Sequence, residues 1–437
     1  MELPIPECEP RLQRRYQQLV QEHLNTNDAV AAGLRALPGT HQAFASTQAA
    51  WRYYANPSVT LEGLAKPLIE SGRALSQSPG LNYGLVIHDW SNLHYSTHTR
   101  KPDRIALGKD LGYQLLSSLL VSDQTGLPLS PLALSLWASD GIHTTRASAV
   151  VADQSHLDEL TDQIRHLEKQ SLGLPLAHIV DCEADSVTHL RHWDEQSWFF
   201  IVRARPIPYV EWQGCRRRLG EIPRELEFHT AAPVEISAGV IAQQMVAETR
   251  VTITRASWRR KRRAAETTPR VREKGKPLNL RLIVVQLWLP DDTCCAQWLV
   301  LTNLDSEVRA ETIALWYCWR WLIESYFKLS QSAGHHLEQG QQESAEAIAK
   351  RLLIGAMACV VVWQVMRDAS PEGEQLRALL LRLSGRQIRR GQATAPALLS
   401  GMWVLLSMLD VFEHYDLTQL QRMRRRMLPG YGFADDG

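Results

Sequence analysis

Cysteine is sparse and scattered in this chain. Cys8, Cys182, Cys215, Cys294, Cys295, Cys318 and Cys359 form no CxxC pair. That argues against a thiolate zinc site or a disulfide framework and suits a reducing cytoplasm. The histidine groups His88/His94/His98 and His335/His336 lack the helical HExxH spacing of a zinc enzyme. No glycine-rich loop followed by Lys is present, so no nucleotide cofactor is expected. The opening MELPIPECEPRLQRRYQQ has no apolar signal core. The longest apolar run read here, Leu352 to Trp363, is too short to span a bilayer, so no membrane partner is expected. Net charge is only +1, so the global balance says nothing about partners. No internal repeat is evident. The expectation is a soluble, cytoplasmic protein, long enough at 437 residues and 45% hydrophobic content for two or three domains.

Charge is concentrated locally. Arg255 to Lys276 carries ten Lys/Arg against two Glu, a net +8, with Trp258 inside. Arg259, Arg260, Lys261, Arg262 and Arg263 are its densest part. Such a run reads as a solvated loop that would not fold alone, and its natural partner is a polyanion such as DNA. A second basic and aromatic segment, AAWRYYANPSVT, places Arg52 beside an Asn-Pro turn. Alone it reads either as a DNA-contacting helix or as a small helical core.

The stretch Tyr317 to Gln331, YCWRWLIESYFKLSQ, has neither Pro nor Gly and predicts one helix of about four turns. At roughly 100° per residue, Tyr317, Glu324, Lys328 and Gln331 share an arc, with Arg320 beside it. Trp316, Trp319, Ile323 and Phe327 lie elsewhere and can pack the helix down. A carboxylate flanked by cations suits a site for metal and phosphate, or equally an ordinary solvated face with ion pairs.

Strand patterns precede it. GLVIHD (84–89) ends in Asp89. Tyr113–Val121 and Pro128–Trp137 flank an Asp-Gln-Thr-Gly turn at 123–126. Ala177–Val180 ends at Asp181, and WFFIVR ends at Arg203. Helices are predicted at His156–Leu172 and from Asp181 to about His192, so strands and helices alternate as in a mixed sheet. QWLVLTN (297–303) is a further strand. Ala345–Met366, Glu374–Ser384 and Ala395–Asp410 predict helices, as do three short segments near Arg11–Leu19, Asp28–Ala36 and Gln48–Tyr54. Asp89, Asp181 and Glu324 thus sit at two strand ends and on one helix. Strand ends on one side of a sheet converge, and acidic oxygens suit Mg²⁺ or Mn²⁺.

The segments IVDCEAD (179–185) and YCWRWLIESYFK (317–328), with AAWRYYANPSV, resemble bacterial cut-and-paste transposases that use two aspartates and a glutamate, in the Y-R-E-K signature group of insertion-sequence enzymes. The resemblance covers nearly the whole chain. It departs from the pattern at Gln331, where Lys is usual, at Trp90 and Ser91 after the first Asp, and at Cys182 after the second. Lys328 lies one turn before Gln331.

The resemblance implies an α/β fold with a ribonuclease-H-like core at 71–206 and 291–370. It implies a helical DNA-recognition domain at 1–70, a β-rich insertion at 207–290 and a helical, dimerising region at 371–437. Asp89, Asp181 and Glu324 would be catalytic and hold two Mg²⁺ (or Mn²⁺) ions about 4 Å apart. Tyr317, Arg320 and Lys328 would grip phosphate, Arg203 would lie near the site, and Trp298 would stack a flipped base. Arg52 and the 259–263 cluster would contact duplex DNA, both transposon ends and target, in a homodimer. A non-catalytic DNA-binding inhibitor and a sequence-independent nuclease are the other readings.

Overall fold

The computed structural model describes residues 4–24, 48–237, 239–260, 270–331, 342–386 and 393–427. The chain begins with α1 (Pro10–Leu24), α2 (residues 48–54) and α3 (Leu61–Ser76). The Thr60 hydroxyl caps α3 by accepting from the Gly63 N–H at 3.0 Å. The expected helix at 28–36 lies outside the described residues.

An antiparallel meander follows: β1 (Gly84–His94), β2 (Ile105–Leu107), β3 (Asp110–Ser122), β4 (Pro128–Ala138) and β5 (Gly141–Thr144). The turn between β3 and β4 is the predicted 123–126, with Gly126 at φ +70°. Next come α4 (His156–Glu168), β6 (Leu176–Val180), α5 (Val187–Glu195) and β7 (Phe199–Ala204). β6 runs parallel to both β1 and β7. Crossovers of this kind suit strands as apolar as LAHIV and FFIVRA, because helices cover both faces.

Except for one ribbon, the strands within residues 207–290 belong to the same sheet. β8 (Tyr209–Trp212), β9 (Cys215–Arg218), β10 (His229–Thr230), β11 (Val234–Ser237) and β12 (Val240–Ile253) are followed by a separate two-stranded ribbon, β13 (Ser257–Arg260) and β14 (Arg270–Glu273). β15 (Leu278–Trp288) then pairs with β12 on one side and β16 (Cys294–Thr302) on the other. The resulting order is β5-β4-β3-β1-β6-β7-β16-β15-β12-β8-β9.

The remainder is helical: α6 (Ala310–Cys318), a 3₁₀ turn (Trp319–Trp321), α7 (Leu322–Gln331), α8 (Ala345–Arg367), α9 (Pro371–Leu383), α10 (Ala395–His414) and α11 (Leu417–Met427). α8 is apolar on nearly every side, the mark of a helix enclosed by others, and it is buried from Ala345 to Trp363 almost without a break. Tyr16, Leu19, Tyr53, Leu64, Ile87, Ile313 and Leu352 belong to one core, so the N-terminal helices share it with β1, α6 and α8. The opposite face of the sheet packs on α4 and α5 through Leu160, Ile164, Leu190 and Trp193. Leu352–Trp363 lies within α8 and is buried there. α10 is long and apolar enough to cross a membrane by length and composition, and 33% of that stretch is buried here.

Candidate active site

The β3–β4 turn is the seat of the site. Asp123 is buried, and its Oδ2 accepts from the Asn82 and Tyr83 N–H groups at 3.0 Å each, fixing the entry to β1. Its carbonyl accepts from the Trp316 indole on α6 at 3.0 Å. Gly126 lies flat against the Trp319 ring, so that a Cβ there would stand 2.7 Å from it. One turn therefore docks both β1 and the segment carrying Arg320. Buried Arg281 on β15 ties down the approach to α6: it pairs with Glu248 at 2.7 Å and donates to the Val308 carbonyl at 2.8 Å.

The carboxylates arrive from three elements. Asp89 is not at the end of its strand, as the sequence suggested, because β1 continues to His94. It stands where the parallel ladder with β6 stops, just beyond the His88–Val180 pair. The antiparallel partner β3 carries the strand onward. Asp181 follows β6 directly and caps a short 3₁₀ turn through the Cys182 N–H, at 2.6 Å. Glu324 lies on α7. The predicted continuous helix 317–331 is broken by the 3₁₀ turn at Trp319–Trp321. Tighter winding there keeps Tyr317, Arg320 and Glu324 facing the sheet.

Arg320 is the hub. Its guanidinium lies 3.0 Å from Asp89, 3.7 Å from Asp181 and 3.8 Å from Glu324. Its side chain is 7% exposed, against 52% for Glu324. The Tyr317 hydroxyl donates to Asp181 at 3.3 Å, and Arg203 at the end of β7 reaches the same carboxylate at 3.4 Å. The three carboxylates thus gather around a guanidinium rather than directly on one another. Among the described residues, the His/Cys/Asp/Glu group whose ligand atoms all lie within 4.8 Å of each other is Asp410, Glu413 and His414. That trio sits at helical spacing on α10, two of its members exposed. His414 Nδ1 is already engaged by the Asp410 carbonyl.

Burial pushes the Asp89 carboxyl up to about 6, opposed by Arg320 and the Trp90 N–H and assisted by the charges of Asp181 and Glu324. Burial, and then Asp181, raise the Tyr317 phenol, so it stays protonated as a donor. For Arg320 burial acts to lower the pKa, but Tyr317 and the three carboxylates outweigh it and raise it. Three carboxylates with one member reluctant to ionise form a donor set that a hard divalent cation would complete.

The other expected residues are dispersed. Lys328 is exposed on α7 and forms no ion pair among the described residues. Gln331 closes α7, but its side chain lies outside the description. Arg52 is on α2, where its guanidinium donates to the Gln48 side-chain Oε1 at 3.5 Å. Arg259 and Arg260 are on β13, whereas Lys261, Arg262 and Arg263 lie outside the described residues. Trp298 on β16 is 7% exposed and covered edge-on by Tyr317 and by Trp321, which is 40% exposed. Its apolar strand neighbours pointed to burial, and the accessible indole is Trp321. His88 is buried, bonded to Ser118 and His178, whereas His335 and His336 lie outside the described residues.

Sequence reading missed the seat formed by Asp123, Gly126, Trp316 and Trp319. The turn signature was visible, but its partner 193 residues away was not. Asp185, read from the sequence as a residue that caps or orients the site rather than a metal ligand, makes two contacts. That carboxylate accepts from the Arg205 N–H at 2.9 Å and lies 3.5 Å from Arg255, tying the Asp181 loop to the root of the basic ribbon.

Residues 84–360 match the family model described as "Transposase DDE domain". The chain belongs to the DDE transposase family. The matched segment spans β1 to α8, and so includes Asp89, Asp181 and Glu324. Membership makes this a DNA transposase, an enzyme of DNA phosphoryl transfer, and the family generally uses divalent metal ions. No curated protein matches the sequence. Among solved structures, a piggyBac transposase synaptic complex with hairpin DNA aligns at 9% identity and a TM-score of 0.38, covering 96% of this chain and 77% of that one. That likeness is too slight to inform function.

Proposed function

We propose that this transposase moves DNA by a cut-and-paste route. Water would cleave one strand at a transposon end, and the freed 3′-hydroxyl would attack the opposite strand to give a hairpin. Strand transfer to target DNA would follow. The observation that carries this reading is the convergence of Asp89, Asp181 and Glu324 on the guanidinium of Arg320. The strand order β4-β3-β1-β6-β7, antiparallel on one side of β1 and parallel on the other, supports a ribonuclease-H-like core.

Asp89, Asp181 and Glu324 would hold divalent cations, Mg²⁺ or Mn²⁺, two per site. Bound there, such ions supply a Lewis acid for the attacking and leaving oxygens. Asp89 holds its proton more tightly than a free carboxyl and must release it before it can ligate. Arg320 limits the mutual repulsion of the acids and stands ready to pair with a scissile phosphate. Tyr317 keeps its hydroxyl proton and can donate to a phosphate oxygen. Arg203 and Lys328 would add charge at the rim. A flipped base would meet Trp321 first, with Trp298 beneath it.

Membership of the Y-R-E-K group is supported by Tyr317, Arg320 and Glu324. A homodimer pairing two ends, through the helical region 371–437, is part of the same reading. Exposed Met408, Leu409 and Phe412 on α10 and Leu417 on α11 support it.

The test is excision from a plasmid carrying the gene's own flanking DNA, with Glu324→Gln alongside the unaltered protein. Excision should need Mg²⁺ or Mn²⁺ and should vanish in the variant, which keeps its binding to DNA. Excision that survives in Glu324→Gln would falsify the assignment.

A further inference from the structure

We propose that the outward face of the β8–β9 hairpin is a second duplex-DNA contact surface, gripping backbone phosphates through Arg216 and Arg218 within roughly one helical turn of the carboxylates. The proposal rests on the DNA-transposase reading and adds a site to it.

The hairpin is the last pair of strands on this edge of the sheet. Its two-residue turn, Gln213-Gly214, has both residues at positive φ (49° and 75°), as a tight type I′ connection requires. Inward-facing Val210 and Trp212 are buried, and the Trp212 indole donates to the Thr249 hydroxyl at 2.9 Å. Leu219 and Gly220 donate back to the carbonyls of Pro208 and Pro206, each at 2.9 Å. The hairpin is therefore clamped at both ends.

Cross-strand register puts Tyr209 opposite Arg218 and Glu211 opposite Arg216, so these four share the solvent face. The Arg216 guanidinium lies 4.3 Å from the centre of the Tyr209 ring, and that of Arg218 lies 5.4 Å from it. Arg218 Nε also donates to the Tyr209 hydroxyl at 3.1 Å. Stacking on one ring holds two exposed guanidinium groups side by side. Neither makes an ion pair among the described residues. Glu211 faces Arg216 without pairing, Glu221 accepts the Arg218 backbone N–H and attracts its guanidinium from beyond ion-pair distance, and Glu225 takes Arg217 at 3.7 Å. Two ordered cations outside any close ion pair complement an anionic backbone rather than a neutral surface.

Position favours DNA as the anion. Tyr209 lies six residues after Arg203, which touches Asp181, so the chain between them spans at most about 20 Å. One turn of duplex is about 34 Å. Exposed Arg205 lies on that path. On its other side, Glu211 pairs in register with Thr252 at the end of β12, which leads to Arg255 and the basic ribbon. Arg255 in turn lies 3.5 Å from Asp185 in the Asp181 loop, so the hairpin, the ribbon root and that loop adjoin one another, and a duplex seated at the carboxylates would reach the hairpin.

The experiment is a fluorescence anisotropy titration of the full chain against a labelled duplex of about four helical turns, from about 50 to 200 mM KCl. Arg216→Ala/Arg218→Ala should weaken binding roughly tenfold and reduce the slope of log K against log salt by about two. The loss should be equal on flanking and unrelated duplexes. The Arg216→Lys/Arg218→Lys pair should keep the slope, and Arg217→Ala should change neither quantity. If the alanine pair keeps the affinity and slope of the unaltered chain, the surface is not a DNA contact, while the transposase reading stands. A loss confined to one duplex overturns the phosphate contact as well. No duplex binding by the unaltered chain would overturn both.

Discussion

The two halves of the sheet handle charge in opposite ways. In the half β5-β4-β3-β1-β6-β7, the functional charges are drawn inward: Arg320 is nearly buried, and Asp89 and Asp181 are 22% and 28% exposed. Along the edge strands β12-β8-β9, Arg216, Arg217, Arg218 and Arg250 stand in solvent on rigid strands, while Arg281 on β15 stays buried. Buried charge is precise but brittle, since removing one partner leaves the others unpaired in a poor dielectric. Exposed charge is robust, individually weak and screened by salt. The first half suits chemistry at one phosphate, and the second suits holding a long polyanion.

The largest test of this contrast is Arg320→Ala. With the guanidinium gone, three carboxylates repel one another, and stability should fall by about 3 kcal/mol in urea unfolding. Millimolar Mg²⁺ should restore part of it. A variant that stays as weak with Mg²⁺ as without would mean that Arg320 does not offset the acids.

A pair of glycine substitutions comes next. Gly126→Ala meets the Trp319 ring and a φ of +70°, so it should cost roughly 2 kcal/mol and also reduce cleavage by moving Arg320. Gly214→Ala in the β8–β9 turn has φ +75° but nothing within 4 Å, so it should cost only about 1 kcal/mol and leave cleavage intact. Equal effects would remove the distinction between a turn that docks a helix and one that only closes a hairpin.

The smallest effect concerns pH. The Asp89 carboxyl is raised to about 6 when folded, from an unfolded value near 3.8. The folded state therefore binds the extra proton between those values, and stability is lost as pH rises through 6. In metal-free protein, Asp89→Asn should melt slightly higher than the unaltered chain at pH 8, with the gap narrowing as pH falls from about 6 towards 3.8. A gap of the same size at pH 8 and at pH 3.8 would refute the raised value. Added Mg²⁺ should raise the melting temperature of the unaltered chain more than that of the variant.

Much of this was legible in the sequence. The strands at 176 and 199 are short, apolar and bounded by turn residues, so their type is fixed within a few positions, and the one at 84 opens the same way but runs on to His94. The carboxylates at 89, 181 and 324 stood out through their neighbours, IVDCEAD and YCWRWLIESYFK. Trp298 was harder to read, because an indole in an apolar strand gives no sign of what lies over it. The break in the helix at Trp319–Trp321 was also hidden, since no Pro or Gly marks it. It follows from docking Trp316 on Asp123 and Trp319 on Gly126.

By itself the sequence determined the kinds of element, the acidic and basic residues available, and the likeness to a transposase. These depend on local periodicity and on side-chain chemistry. Only the tertiary structure decided that one guanidinium would sit among three carboxylates, and that residues 207–290 would extend the main sheet. It also decided that Arg216 and Arg218 would flank one tyrosine. Each of these depends on strand register or on contacts between distant segments: Asp89 and Arg320 are 231 residues apart in the chain and 3.0 Å apart in space.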